Sequence, residues 1–470
     1  MKAINPRTGE ADAEFAPDSE VDVQAAAARL RARQPGWEAL GPSGRGEVLA
    51  AFAEAIAHHA DAIVAALAVD TGRRTVARIE VDSCVRNIRG WAARAPALFA
   101  ELDCGPRPSA TPGIEIATRW SAYPLFGAIA PWNFPLLLSH IDAVPALMAG
   151  CAALVKPSEV TPRFVAAMRA ALDQVPELPL AYVMGGPETG QALIGAVDYV
   201  CFTGSTATGR KVAEAAARRL IPANLELGGK DPLIVAASAD PAWAAGIALR
   251  SSVVATGQGC QSIERVYVAR AIAEPFLAAL VAEAEQVELT WPDPAQGHLG
   301  PFIFPPQAAK VQAQIDDAVA QGARVLTGGT VETLGGGKYL RPTVLVDVTP
   351  ELAVMREETF GPVLPVTVFE EIDEAIALAN DSDYGLSAAV LAGSLDEAAA
   401  IGSRLDAGAI SLQDGALTTM VGDATNESRK HSGLGPSRMG DSGLLRFLRP
   451  QALIRQTSEP LPIEAYAERG

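Results

Sequence analysis

Cysteine is sparse in this 470-residue chain: five residues, at positions 84, 104, 151, 201 and 260, with no C-x-x-C pair among them. The odd count and scattered spacing leave neither a disulfide framework nor a zinc pattern and fit a reducing, cytoplasmic location. Histidine is equally scarce, at five, with no H-E-x-x-H or H-x-x-H pair, so no metal centre is expected. Basic charge is in deficit, 38 Lys and Arg against 55 Asp and Glu. The resulting net charge of −17 argues against nucleic acid or an anionic membrane as the main partner. The start, "MKAINPRTGE", lacks the apolar core of a secretory signal. The most apolar long stretch, residues 133–155, contains Pro135, His140, Asp142 and Pro145, so it reads as a buried helix leading into a buried strand. Two further absences are the dinucleotide fingerprint G-x-G-x-x-G and any repeat of 20 to 50 residues.

What is present is a globular composition, 49% hydrophobic and 20% charged, in a chain long enough for two or three domains. The first hundred residues are helical in pattern: 23–34, a long amphipathic helix over 46–72 ending at Gly72, and a third over 76–99. After a Pro/Gly break at 104–113, "IEIATRWSAYP" alternates like a strand. Strands and helices then alternate: "GAIAPW", a helix over 135–150, "AALVKPS", a helix with Thr161 as cap and Pro162 at its first position, "AYVMGG", "YVCFTGS" and a helix over 207–220. A second such unit runs from "LELGGKDPLIVAA" to about residue 440. The pattern predicts an α/β fold of two doubly wound parallel sheets, with ligands at the carboxyl ends of the strands.

Several stretches have a chemical reading beside an ordinary one. "FTGSTATGRKV" places Gly204, Ser205 and Gly209 at a strand-to-helix turn, where free amides suit a phosphate, though glycines also simply make turns. "LVKPSEVTP" ends a strand with Lys156 and Glu159, able to bond a ribose or to form a plain surface loop. Glu226 in "LELGGKDP" stands between leucines, the setting of a general base or of a buried salt-bridge partner. Asn133, clamped by Pro131 and Pro135, suits an oxyanion or its own backbone. "SSVVATGQGCQSIERV" sets Cys260 behind Gly257 and Gly259, as a nucleophile or as one more small core residue.

In combination these stretches resemble the NAD(P)-dependent aldehyde dehydrogenase superfamily. The motifs are P-W-N-F-P at 131–135, V-K-P-S-E at 155–159, F-T-G-S-x-x-x-G at 202–209, L-E-L-G-G-K at 225–230, G-Q-G-C at 257–260 and E-E-x-F-G-P-V at 357–363. The resemblance spans nearly the whole chain, from "INPRTGE" to "KHSGLGPSRMG", and includes the 34-residue interval from Glu226 to Cys260. It implies that Cys260 attacks an aldehyde, that Asn133 and the Cys260 N–H receive the oxyanion, and that Glu226 activates the water that hydrolyses the thioester. It further implies Lys156 and Glu159 as ribose ligands and Ser205 as a pyrophosphate donor. Glu358 and Phe360 would hold the nicotinamide end, and Trp132, Gly204 and Gly209 would shape the cleft. The implied domains are a NAD-binding unit (1–108 and 123–227), a catalytic unit (228–440), and oligomerisation strands with a tail (109–122 and 441–470), in a homodimer or homotetramer.

NAD is expected over NADP, because Glu159 should bond a 2′-hydroxyl and repel a 2′-phosphate. Phe134, Leu137, Leu138 and Ile141 line the presumed tunnel and point to an aromatic or medium-chain aliphatic aldehyde, with Gln261 following the cysteine. Polar Asn426 and Glu427 stand where an apolar tunnel wall would be usual. The alternatives are a CoA-acylating or semialdehyde dehydrogenase of the same fold, or a silent binding homologue. Glu226 argues against CoA transfer, since a thioester meant for a thiol gains nothing from a water-activating base.

Overall fold

The computed structural model describes residues 1–102 and 104–468; Asp103 and the last two residues of the expected tail lie outside them. The fold is α/β, built on two largely parallel sheets and one small antiparallel sheet. The first sheet runs Gly433–Leu434, Ala223–Glu226, Tyr199–Thr203, Leu125–Ile129, Ala152–Lys156, Leu180–Tyr182, all parallel except the first. Its strands are apolar on both faces, as a sheet covered by helices on both sides requires. Phe126, Ala128, Ala153, Val155, Tyr199 and Cys201 enter one core; Leu125, Ala152, Leu154, Val200 and Phe202 enter the opposite one.

The second sheet is ordered Arg324–Thr327, Thr343–Val346, Val363–Phe369, Ile263–Ala269, Asp231–Val235, Ser387–Leu391, Ala409–Leu412. It shows the same division: Ile234, Tyr267 and Val390 face one core, Leu233, Val266 and Ala389 the other. In the third sheet Leu448–Gln456 pairs antiparallel with all of Ile114–Ala122, and Arg107–Pro108 pairs with the far edge of the same strand.

Four local expectations change. The helix expected over 46–72 is two helices, Gly41–His58 and Ala60–Thr71, meeting at His59 with a bend of 67°. The bend lets Phe52 and Ile56 on one side, and Ile63 and Leu67 on the other, enter one core with helix Arg74–Leu102. The helix expected over 135–150 is also two, Pro135–His140 and Ala143–Ala149, because Pro145 has no N–H to bond back across the junction. Thr161 caps nothing: its hydroxyl donates to Trp132 O at 3.3 Å, and helix Phe164–Leu172 starts after Arg163, whose N–H is taken by the Asp70 carboxylate at 2.8 Å. Finally, Gly433–Leu434 pairs with Glu226 and Leu225, and Leu444, Phe447 and Leu448 pack in the first core. The chain therefore returns to the first unit before residue 440. Among the described residues no single helix is long and apolar enough to cross a membrane.

Candidate active site

In the first sheet the strand order reverses at Leu125–Ile129: the next two strands along the chain, Ala152–Lys156 and Leu180–Tyr182, lie on one side, and Tyr199–Thr203 and Ala223–Glu226 on the other. Such a switch point opens a crevice beyond the strand ends, and a cavity of about 500 Å³ lies there. It gathers Trp132, Asn133, Lys156, Glu159, Gly204 and Ser205 from the first unit with Cys260, Glu358 and Phe360 from the second. Of the pocket residues expected from sequence, Leu138 lines it, whereas Phe134, Leu137, Ile141 and Gln261 stand half-buried outside its wall, as does Glu226; Gly209 is buried behind it.

Lys156 and Glu159 meet each other: Nζ donates to Oε2 at 3.2 Å and to Pro157 O at 3.3 Å. The Ser205 hydroxyl is engaged locally, capping helix Thr206–Arg218 by accepting from Thr208 N at 3.4 Å and bonding Thr208 Oγ1 at 3.1 Å. Its expected donation to a phosphate would have to compete with that cap, whereas the helix amides expected from sequence are joined by Lys211, a donor on the cavity wall that sequence reasoning passed over. Gly209 acts indirectly. A Cβ there would stand 2.4 Å from Leu227 Cδ2, so glycine lets the helix close on a residue of the cavity wall.

Opposite this turn, the loop carrying Glu358 and Phe360 is held by a buried pair. Lys230 Nζ donates to Glu264 Oε2 at 2.7 Å, and the same carboxylate accepts from Thr359 N and Phe360 N, each at 2.7 Å. Phe360, at φ 55°, meets Trp132 edge to face at 5.4 Å. Burial, with nearby Glu264, pushes the Glu358 carboxyl up to about 7. Gly228 lies against that carboxylate; a Cβ on it would be 2.8 Å from Glu358 Oε1. Neither Lys230 nor Glu264 was singled out from sequence, though Lys230 closes one motif and Glu264 follows Cys260 by four residues.

Asn133, 4% exposed, donates through Nδ2 to Gln258 O at 3.0 Å, which ties it to the loop bearing Cys260. Gly257 sits at φ 65°, where a Cβ would fall 2.4 Å from Gly361. Burial, reinforced by the nearby Asp231 carboxylate, pushes the Cys260 thiol up to about 12; Arg438 pulls it down, while Glu358 and Glu226 add to the rise. Without nucleotide, iodoacetamide should label exposed Cys104 readily at pH 8 and Cys260 slowly, with Cys260 labelling gaining about tenfold per pH unit. Peptide mapping reads both; equal labelling at pH 8 would contradict this environment.

Glu226 is not in the apolar setting its neighbours suggest. Strand alternation sends Leu225 and Leu227 into the core, and the carboxylate faces a polar network instead. Its Oε2 accepts from Ser428 Oγ at 3.0 Å and its Oε1 lies 3.6 Å from Arg438 Nε. Arg438 also donates to Asp142 Oδ2 at 2.8 Å and Thr203 Oγ1 at 2.7 Å, and Arg446 joins through Asp142 and Asn224. Arg438 lies within the sequence motif that closes the resemblance, but only the fold brings it to Glu226.

A cleft at the switch point of a doubly wound sheet, with a cysteine and an anchored asparagine on its wall, places this chain among the α/β proteins built to hold a nucleotide there. The model of the aldehyde dehydrogenase family matches residues 1–453, and the chain belongs to that family. It is 38% identical over 439 residues to a Mycolicibacterium smegmatis protein named "Putative succinate-semialdehyde dehydrogenase [NADP(+)]", covering 92% of this chain and 84% of the relative. Among solved structures it resembles a "Putative Aldehyde Dehydrogenase" of Anabaena variabilis, with TM-score 0.95, 47% identity and 98% of each chain covered. It also resembles a betaine aldehyde dehydrogenase of Staphylococcus aureus solved with NAD⁺, with TM-score 0.90, 29% identity, and 98% and 95% covered.

Proposed function

We propose that the chain oxidises an aldehyde to the carboxylic acid with a nicotinamide nucleotide as hydride acceptor. The observation that carries this reading is the convergence of Cys260, Asn133, Glu358 and Phe360 on one cavity. The donor set suits a dinucleotide: Glu159 and Glu358 as acceptors for ribose hydroxyls, the N-terminus of helix Thr206–Arg218 and Lys211 as donors to phosphates. When bound, the oxidised nicotinamide supplies a hydride acceptor and a positive charge that favours a thiolate.

Cys260 Sγ gives its proton to solvent water and bonds the carbonyl carbon, and the carbonyl oxygen takes the electron pair, stabilised by the Asn133 amide and the Cys260 N–H. As the C=O bond re-forms, the C–H pair leaves as hydride, and the carbon stays on sulfur as a thioester. Glu226 then turns from Ser428 and takes a proton from water, whose oxygen adds to the thioester carbon, and the Cys260 sulfur leaves.

Leu138 on the cavity wall, with Phe134, Leu137 and Ile141 at helical spacing around it, supports an apolar aldehyde. The name of the mycobacterial relative favours a second reading, a semialdehyde. NAD is preferred to NADP through Glu159, although Lys156 offsets part of its charge and the relative's name specifies NADP⁺. The exposed Leu453 and Ile454 of the outer strand support a homodimer or homotetramer, and the unpaired cysteines a cytoplasmic location.

The test is nucleotide reduction across aromatic, aliphatic and semialdehyde substrates, with NAD⁺ or NADP⁺, and with or without CoA. Highest kcat/KM with an apolar aldehyde and NAD⁺, with turnover independent of CoA, is expected. Turnover that requires CoA would overturn the hydrolytic assignment.

A further inference from the structure

Arg73 is 5% exposed, and no sequence motif draws attention to it. It follows Gly72, whose φ of 67° ends helix Ala60–Thr71 and turns the chain inward. Its guanidinium bridges two loops. One nitrogen donates to Ala255 O at 2.9 Å and the other to Asn133 O, while the group stacks 5.1 Å from the Phe134 ring. Asn133 and Cys260, the two donors of the oxyanion site, belong to these two loops.

The Cys260 loop needs holding. Ala255 and Thr256 lie at φ 56° and 63°, the left-handed region that costs any residue with a Cβ, and a β-branched one most. Beside Gln258, whose side chain accepts from Ile303 N at 2.9 Å, two tethers reach Ala255 and Thr256 themselves from other segments: Arg73 on Ala255 O, and Thr256 Oγ1 donating to Gly300 O at 3.1 Å. Burial disfavours the Arg73 charge, and the nearby Glu80 carboxylate offsets part of that cost. The Glu80 carboxylate also accepts from Leu136 N at 3.1 Å and Leu137 N at 3.2 Å, so it anchors the segment that follows Asn133. A lysine could not do this work, because only a planar fork presents two separated donors to two carbonyls at once.

We propose that Arg73 is a positioning residue for acylation: by tying the Asn133 loop to the strained turn at Ala255 and Thr256, it sets the spacing of the two oxyanion donors. The inference rests on the reading of Cys260 and Asn133 given above. Misplacing a reacting group by an ångström costs about 10²-fold in rate, so that is the loss expected in Arg73→Lys.

The experiment is single-turnover nucleotide reduction, with full-length enzyme in excess over aldehyde and active sites titrated, alongside steady-state KM. Arg73→Lys should slow the single-turnover rate constant by about 10²-fold and leave KM within about threefold. A merely structural arginine would lower the melting temperature and the fraction of active sites but not the rate constant per titrated site, and that result would overturn the proposal. Thr256→Val keeps Arg73 and cuts the other tether of the same turn, so it reads the same quantity if Arg73→Lys fails to fold. It should slow the same step, and an unchanged rate constant would also overturn the proposal. Asn133→Ala separates the two levels of argument. If it slows acylation and Arg73→Lys does not, the Arg73 role alone fails; if Asn133→Ala is itself without effect, the oxyanion reading fails and takes the proposal with it.

Discussion

Cys260→Ala should lower aldehyde-dependent nucleotide reduction by on the order of 10⁴-fold or more, since among the described residues Cys260 is the one thiol on the cavity wall and the proposed thioester requires it. The contrast with the remaining cysteines makes this specific. Cys84, Cys151 and Cys201 are buried in the core of the first unit, and burial pushes each thiol upward with no substrate path to it. Cys104 is exposed but absent from the cavity wall. Cys151→Ala should therefore cost roughly 1 kcal/mol of stability through lost packing and retain turnover. Cys260 stands half-buried on the wall itself, so its truncation should leave the melting temperature near that of the parent while activity disappears. Paired melting curves and steady-state rates decide the matter. A Cys260→Ala enzyme with full turnover would end the assignment of the nucleophile.

How far these roles were legible in the amino-acid order depends on which interactions each needs. Lys156 ends a strand of the first sheet, and Asn133, Glu159 and Gly204 each come within four residues of a strand end, so strand–helix alternation alone delivers them to one crevice. The surroundings of Glu226 were not legible. Its sequence neighbours are leucines, yet its spatial partners, Ser428 and Arg438, arrive more than 200 residues later on a segment that rejoins the first sheet. Arg73 was hidden for the same reason, since its partners are backbone carbonyls, which carry no residue signature. The break at His59 was masked because the apolar periodicity continues through it, and only shared packing against helix Arg74–Leu102 bends the chain. Side chains that finish a strand were readable; those that depend on a distant return of the chain were not.

Glu226→Gln should uncouple the two halves of the reaction: one nucleotide reduced per active site in a burst, then a steady rate lowered by about 10²- to 10⁴-fold. The amide keeps the shape of the carboxylate and can still accept from Ser428, so the fold around it has little reason to change. What it cannot do is take a proton from water. The burst itself has a further reason to survive. Glu226 and Asp142 balance Arg438 and Arg446 in the adjoining network, and the negative charge of Glu226 is among the influences that raise the Cys260 thiol, opposite in sign to that of Arg438. Removing that charge leaves Arg438 less compensated, which favours the thiolate, so the rising limb of the acylation pH profile should move to lower pH. The two halves thus respond in opposite directions to a single substitution: acylation holds or gains, and deacylation stalls. Rapid-mixing measurement of nucleotide reduction across pH separates them. A normal steady-state rate would remove Glu226 as the base. A missing burst in folded protein would instead place Glu226 at the first step, as the group that takes the Cys260 proton.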